Sequence, residues 1–166
     1  MTADALPQRS QDPWRLARSA HEAMIARAEA DFPEETCGFL FGAAESSDLT
    51  VVPMENIQNR LHREDPKTHT RDAQTAYCFD PTDMQKVLVE NEKAGRAFRG
   101  IYHSHPDHDA YFSETDSAAA SPFGEPSFPG VVYLVYSVKQ GRMADLKVFD
   151  WSDDEERYVE IPIEIV

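Results

Sequence analysis

Three of the six histidines in this chain lie within one short segment, residues 102–116, which reads YHSHPDHDAYFSETD. On a β-strand, residues two apart face the same side, so His103 and His105 can present two imidazoles to one metal ion. Ser104, between them, then points to the opposite face. A His-x-His pattern alone is more typical of half-buried strand residues than of a metal site, so the residues that follow decide between the two interpretations.

A third ligand is expected at the start of the next helix. Ser113 follows the loop that begins after Pro106, and its hydroxyl suits a helix N-cap. Asp116 falls on the same helical face, and a loop of this length lets the helix start return towards the histidines. Two neutral imidazoles and one carboxylate leave the fourth tetrahedral position of zinc to water, as catalytic zinc sites do. The complete spacing therefore predicts a catalytic metal site.

Other polar residues near this pattern are interpreted as exposed loop groups. Asp107, His108 and Asp109 lie inside the predicted loop itself. His62 and His69 belong to a separate polar segment and are also expected to be loop residues rather than ligands.

Hydrolysis by a metal-activated water also needs a base that takes the water proton and delivers it to the leaving group. Glu34 and Glu35 are the candidates, because they stand directly before an apolar run, residues 36–42 (TCGFLFG), that is typical of a buried strand. The spacing does not choose between them. Both could also be exposed acids at a helix–strand junction.

Two motifs resemble those of the JAMM, or MPN-plus, zinc metalloproteases, in particular their compact prokaryotic members. Residues 35–42 (ETCGFLFG) resemble the Glu-x-Cys-Gly-x-Leu-x-Gly strand of that family. Residues 103–106 (HSHP), followed by residues 113–116 (SETD), resemble its metal signature. A looser similarity extends over about residues 14–151 and includes Asn56 and the helix entry Phe79-Asp80-Pro81.

The resemblance implies roles for particular residues. It implies that His103, His105 and Asp116 bind one zinc ion per chain, that Glu35 rather than Glu34 is the general acid/base, and that Ser113 helps to hold the oxyanion. It also implies a zinc peptidase or isopeptidase that cuts at the C-terminal glycine tail of a ubiquitin-like or sulfur-carrier protein. The fold it implies is α/β, a single MPN domain with a mixed, curved sheet flanked by helices and a deaminase-like architecture.

Alternatives to this activity are a non-catalytic MPN scaffold, a RadC-like protein linked to DNA repair, and a zinc nucleobase deaminase. The intact ligand residues argue against the scaffold, and the acidic composition argues against the DNA-repair protein. A deaminase would need a Pro-Cys-x-x-Cys ligand pair, which the sequence lacks.

One departure from the family pattern lies beside the expected metal. Small bacterial relatives often have Ala-x-Pro-Ser where this chain has Ala110-Tyr111-Phe112-Ser113. The two aromatic residues could pack under the loop or shape the substrate channel, and the sequence leaves this open. Cys37 is expected to be a small buried apolar residue rather than a nucleophile, because a metal–water mechanism needs none.

The elements that position these residues follow from turn signals and apolar patterns. Asp12-Pro13 and Asp80-Pro81 predict helix starts, and Ser113 predicts a third. Pro33 ends the first helix, whose apolar residues share helical spacing: Leu16, Ala20, Met24 and Ala28. Strands are expected at residues 36–42, 49–54, 76–79, 98–105, 131–138, 144–151 and 158–165. Residues 57–74 are polar and without period, which predicts a functional or mobile loop.

The composition limits the possible partners. The chain has 166 residues and a formal net charge of −14, which disfavours nucleic acid and anionic membrane surfaces. No apolar run approaches the ~20 residues of a membrane span, and two cysteines provide no disulfide framework. We therefore expect a cytoplasmic protein, with a flexible N-terminus at residues 1–11 and one catalytic domain at residues 12–166. The sequence does not determine the oligomeric state.

Overall fold

A computed structural model describes residues 12–166, so the flexible N-terminus expected at residues 1–11 lies outside the described residues. The elements are β1 Trp14–Leu16, α1 Arg18–Asp31, β2 Cys37–Gly42, β3 Thr50–Met54, α2 Gln58–Glu64, α3 Pro81–Lys93, β4 Ala97–Pro106, α4 Glu114–Ala120, β5 Val132–Lys139, β6 Arg142–Ser152, β7 Arg157–Ile161 and β8 Ile163–Ile165. Among these residues, no helix is long and apolar enough to cross a membrane.

The main sheet has six strands in the order β3-β2-β4-β5-β6-β7. It is mixed, because β4 and β5 run parallel while the other neighbouring pairs run antiparallel. The predicted α/β class with a mixed sheet flanked by helices is confirmed. β4 lies inside the sheet, between β2 and β5, and Cys37 of β2 is paired with His103 of β4. The two sequence motifs are therefore on adjacent strands.

Apolar side chains cover both faces of this sheet. On one face, Phe39 and Phe41 of β2 lie in a core cluster with Ile101, and apolar residues of α3 pack against it. On the other face, Leu40 and Tyr102 join a second cluster that includes Ala20 and Met24 of α1. The alternation of Phe39, Leu40 and Phe41 between the two clusters follows the period of two of a strand that is buried on both sides.

The N-terminal helix begins later than predicted. Asp12-Pro13 does not cap it, because residues Trp14–Leu16 form β1 and pair in parallel with β8 at the far end of the chain. α1 begins at Arg18, and Ala17 is its N-cap. The predicted apolar face is confirmed for Ala20, Met24 and Ala28, whereas Leu16 is buried on β1 instead.

Two expectations for the middle of the chain were wrong. The polar segment predicted as a loop contains α2, in which Gln58 is the buried residue. Residues 76–79 form no strand. Tyr77 and Phe79 nevertheless pack against the first core cluster. The helix start at Asp80 is confirmed, since its side chain accepts hydrogen bonds from the backbone N–H groups of Thr82 and Asp83.

The C-terminal strand is divided in two. Residues Arg157–Ile161 form β7 of the main sheet, and Ile163–Ile165 form β8 beside β1. Pro162 stands between them, and its ring removes a backbone donor from the ladder. The other predicted strands are confirmed within two residues at each end, and the helix expected after Ser113 begins at Glu114.

Candidate metal centre and active site

β4 presents both histidines to one point, as the period of two predicts. His103 and His105 are buried, and their Nε2 atoms lie 3.2 Å apart. Ser104 points the other way, and its Oγ accepts a hydrogen bond of 2.8 Å from the backbone N–H of Thr36. The serine between the histidines thus joins β4 to the residue that follows Glu35.

The start of α4 brings Asp116 to the same point. Ser113 Oγ accepts a 3.0 Å hydrogen bond from the Asp116 N–H, and the Ser113 N–H donates a 3.1 Å hydrogen bond to Asp116 Oδ2. This reciprocal capping box satisfies free donors of the helix start and fixes the carboxylate. Asp116 Oδ2 lies 3.1 Å from His103 Nε2 and 3.2 Å from His105 Nε2. The N-cap at Ser113 was predicted, whereas the return bond to Asp116 was not.

These three atoms form a donor set that fits a cation. His105 Nδ1 is 2.9 Å from the Asp109 carbonyl, which can only accept, so Nδ1 donates this hydrogen bond and Nε2 is the ring atom that faces the other two donors. On His103, Nδ1 is buried and without a hydrogen-bond partner among the described residues, so the polar contacts of that ring are at Nε2. Ligand atoms around a tetrahedral zinc, with Zn–N of ~2.0–2.1 Å, lie roughly 3.4 Å apart, close to the separations observed.

The negative charge of Asp116 also favours the binding of a cation. Burial acts to raise the pKa of this carboxyl group, but the adjacent imidazoles of His103 and His105 outweigh it and hold the pKa below its usual range. Asp116 is therefore a carboxylate rather than a neutral acid. Aromatic rings enclose the two histidines: Tyr77 stacks on His103 at 4.5 Å, and the edge of Tyr111 meets His105 at 5.1 Å between centroids.

Glu35 stands beside this set at the entry to β2. It is 6% exposed, and one carboxylate oxygen lies within 4.8 Å of a nitrogen atom of each histidine. Its backbone is fixed on both sides, because its N–H donates to the Ala73 carbonyl at 2.7 Å and its carbonyl accepts from Asn56 Nδ2 at 3.0 Å. Burial, and then the nearby charge of Asp116, raise the pKa of Glu35 to about 9, against a smaller opposing effect of Arg71.

The side chains of the other candidates from the sequence do not join these donor atoms, although His108 lines a small cavity beside them. Glu34 is exposed, and its Oε1 accepts a 2.8 Å hydrogen bond from Asn59. His62 is engaged by the carbonyl of His69 at 2.7 Å. Asp107 accepts from the backbone N–H of Gln140. Exposed Asp109 pairs through its carboxylate with Lys139, while its carbonyl holds His105.

The aromatic pair before Ser113 divides into two roles. Phe112 packs among Tyr133, Phe149 and Tyr158, with ring centroids 5.0–5.3 Å away, and so anchors the start of α4 on the sheet. Tyr111 is 52% exposed and lines a small cavity at the centre. Cys37 is buried in the core, and burial raises the pKa of its thiol, which keeps the sulfur protonated.

Two cavities meet at Glu35. The larger, about 640 Å³, runs along the end of β3 and the start of α2, where its lining includes Pro53, Met54 and Arg60. The smaller, about 80 Å³, adjoins the candidate metal centre. Its lining residues are Glu35, Arg71, Thr75, His105, His108, Tyr111, Ser113 and Asp116. Glu35 is the residue that the two cavities share.

Sequence reasoning missed the residues that hold Glu35 and close the small cavity. Asn56 entered only through the family resemblance, yet it bonds to the carbonyls of Glu35 and Ala76 and accepts from the N–H of Cys78. Arg71 was part of a polar segment without period, and nothing in that segment indicated its position beside Glu35. Ser104 had one signal, its place between two histidines.

Known proteins resemble this chain in sequence and in fold. The family model described as prokaryotic homologs of the JAB domain, Prok-JAB, matches residues 17–151. This chain belongs to the Prok-JAB family. It is thus a compact prokaryotic member of the JAMM/MPN proteins, as the two sequence motifs predicted. A solved JAB1/MPN domain protein from Archaeoglobus fulgidus covers 93% of this chain and 99% of its own, with a TM-score of 0.52 and 15% identity, which supports the fold alone.

Two curated relatives assign the Prok-JAB chain to an enzyme class. It is 31% identical over 154 residues to the desampylase of Haloferax volcanii, which covers 90% of this chain and 95% of the relative. It is 32% identical over 127 residues to the CysO-cysteine peptidase of Mycobacterium tuberculosis, which covers 76% of this chain and 75% of the relative. The protein is therefore a hydrolase of the peptidase type, as predicted, and the scaffold alternative is set aside.

Proposed function

We propose that this protein is a zinc-dependent peptidase or isopeptidase that cuts after the C-terminal glycine tail of a ubiquitin-like or sulfur-carrier protein. The observation that carries the proposal is the convergence of three donor atoms, 3.1–3.2 Å apart, beside a buried glutamate. A cation between these atoms would be shared by all three of them, and Asp116 is held in its charged form. The carboxyl group of Glu35 next to that cation is the base that this proposal assigns to peptide hydrolysis.

In this proposal His103, His105 and Asp116 would hold the zinc ion. When bound, the ion polarises the scissile carbonyl and lowers the pKa of a water molecule. The hydrogen bond from His105 Nδ1 to the Asp109 carbonyl keeps the ring in the tautomer that can bind metal. The capping box holds the Asp116 carboxylate against rotation.

Glu35 moves the proton. The positive charge of a bound cation would oppose the burial that raises the pKa of Glu35 to about 9, so the carboxylate could take a proton from the attacking water and the protonated form could donate it to the departing amine. Ser113 assists at the carbonyl. Because Ser113 Oγ accepts its capping hydrogen bond from Asp116 N–H, the hydroxyl hydrogen is free to donate to the developing oxyanion.

The larger cavity suits an extended tail. β3 is an edge strand, so its outer side can receive another strand, and the cavity of about 640 Å³ follows its end to Glu35. Glycine has no side chain and can pass a narrow entrance. The names of the two relatives, a desampylase and a CysO-cysteine peptidase, support this class of substrate.

The test combines metal analysis with cleavage of carrier proteins that bear a C-terminal extension or an isopeptide. We expect about one zinc per chain in the wild type. Glu35→Gln is expected to keep the metal and lose hydrolysis, whereas His103→Ala is expected to lose both. His62→Ala, a histidine outside the centre, provides the matched control and should keep both.

Two outcomes contradict the proposal. A wild-type protein that binds zinc but cuts no glycine-tailed carrier would exclude this substrate class. Hydrolysis that survives Glu35→Gln and disappears in Glu34→Gln would move the base to Glu34.

A further inference from the structure

The small cavity at the candidate metal centre has a much smaller volume than the larger cavity. Both meet at Glu35, so a substrate whose tail occupies the larger cavity would present its leaving group to the smaller one. At about 80 Å³ the small cavity has room for several water molecules, which corresponds to a small residue and not to a folded partner.

Arg71, an exposed residue, places a positive charge at this cavity. Within residues 12–166 its guanidinium forms no ion pair and no side-chain hydrogen bond; in the larger cavity the same holds for Arg63, while Arg27 and Arg60 pair with Asp31 and Asp80. Arg71 is nevertheless close enough to Glu35 for its charge to oppose the rise of the Glu35 pKa. Its guanidinium donors are therefore available at the cavity that Glu35 also lines, where an anionic group of a substrate could accept hydrogen bonds from them.

The leaving group itself can supply that anion. When the released amine belongs to a free amino acid, its carboxylate carbon lies roughly 2.5 Å from the amine nitrogen, by standard backbone dimensions. Glu35 protonates the amine, so the carboxylate falls within the same small cavity. When the amine is that of a lysine side chain, four methylene groups separate it from the backbone, and no carboxylate lies nearby.

We propose that Arg71, with His108 on the same cavity wall, binds the α-carboxylate of a single C-terminal amino acid released from the carrier tail. This inference rests on the proposed function and deepens it, because it selects a one-residue adduct over a lysine isopeptide as the preferred substrate. His108 is exposed and lines the cavity, and Ser137 Oγ donates a 2.6 Å hydrogen bond to its backbone carbonyl, which fixes the backbone of this wall. Thr75 belongs to the same lining.

The test measures binding without turnover, in the full-length, zinc-loaded Glu35→Gln protein. The probes are acetyl-Leu-Gly-Gly-Ala with a free carboxylate and the same peptide as its carboxamide, titrated by calorimetry. A charge-assisted pair predicts that the acid binds about tenfold more tightly than the amide. Adding Arg71→Gln should bring this ratio close to one, and Arg71→Lys should give an intermediate value.

Lys67→Gln in the same background is the matched control, because Lys67 is an exposed cation of the same segment that lines neither cavity. It should leave the acid-to-amide ratio unchanged. An equal affinity for acid and amide, or a preference that persists in Arg71→Gln, would overturn the inference.

The two proposals fail in different ways. If the acid preference depends on Arg71 but the wild type hydrolyses no glycine-tailed carrier, the carboxylate site stands and the proposed function falls. If the wild type hydrolyses both kinds of adduct and Arg71 has no effect on the acid-to-amide ratio, only the carboxylate site falls.

Discussion

The proposed metal ligands and the proposed catalytic base of this protein are positioned in different ways. His103, His105 and Asp116 come from 14 consecutive residues, and their geometry follows from one strand end and one capped helix start. Glu35 comes from another part of the chain, and its neighbours Asn56, Arg71 and Ala73 come from a third. Local geometry therefore determines the ligand set, whereas long-range contacts determine where the base stands and what lies beside it.

The largest effect is expected from a substitution in the proposed ligand set, whose geometry is local. Asp116→Asn keeps the shape of the side chain but removes the charge that faces both imidazoles. We expect zinc to be lost at micromolar metal and kcat/KM to fall about 10³-fold, equivalent to several kcal/mol of transition-state stabilisation. Metal analysis and carrier cleavage measure the two effects.

Asp109→Asn is the control, since the Asp109 carbonyl that holds His105 is unaffected by the side-chain change. If Asp116→Asn retained full zinc, the ligand assignment would be wrong.

A second experiment measures how the buried carboxyl group of Glu35 makes the stability of the protein depend on pH. In zinc-free protein the pKa of Glu35 is about 9, whereas its ordinary value is 4.5. Between these values the folded state keeps a proton that the unfolded chain releases, so stability falls as pH rises from about 5 to 9. Glu35→Gln removes this penalty. After chelation it should therefore be more stable than the wild type by a few kcal/mol at pH 8, and by less at pH 6.

Thermal unfolding at a series of pH values measures this difference. Glu90→Gln, an exposed glutamate on α3, is the control. A stability difference between wild type and Glu35→Gln that does not grow with pH would show that burial does not perturb this carboxyl group.

The smallest effect is expected from a substitution that displaces Glu35 alone. It tests whether Glu35 and the proposed ligand set can be perturbed separately. Asn56→Ala removes the side chain that bonds to Glu35, Ala76 and Cys78, but it leaves the ligand set intact. A displaced base should lower kcat about tenfold while zinc content stays at the wild-type value.

Asn91→Ala removes a buried asparagine near the end of α3 and should destabilise the fold without lowering kcat. A loss of zinc in Asn56→Ala would show that the position of Glu35 and the proposed ligand set depend on each other.

The same division explains how much could be predicted from the sequence. The spacing from His103 to Asp116 was interpretable because strand period and helix capping act over a few residues. Asp12-Pro13 carried an equally clear capping signal, but pairing of β1 with β8 at the far end of the chain prevailed over it. The buried residue of α2 is Gln58, a polar residue, so the helix has no apolar periodicity. No local sequence pattern therefore predicted it. Arg71 lies in the same polar segment, residues 57–74, and its position could not be predicted from the sequence either.

The capping box has a thermodynamic consequence for α4. This helix has only seven residues, too few to be stable alone in water, and the carboxylate that closes its first turn is also the proposed metal ligand. By linkage, whatever frays the helix start weakens metal affinity, and metal binding protects the helix by the same free energy. Slow amide hydrogen exchange in the first turn of α4 would accordingly report on metal loading.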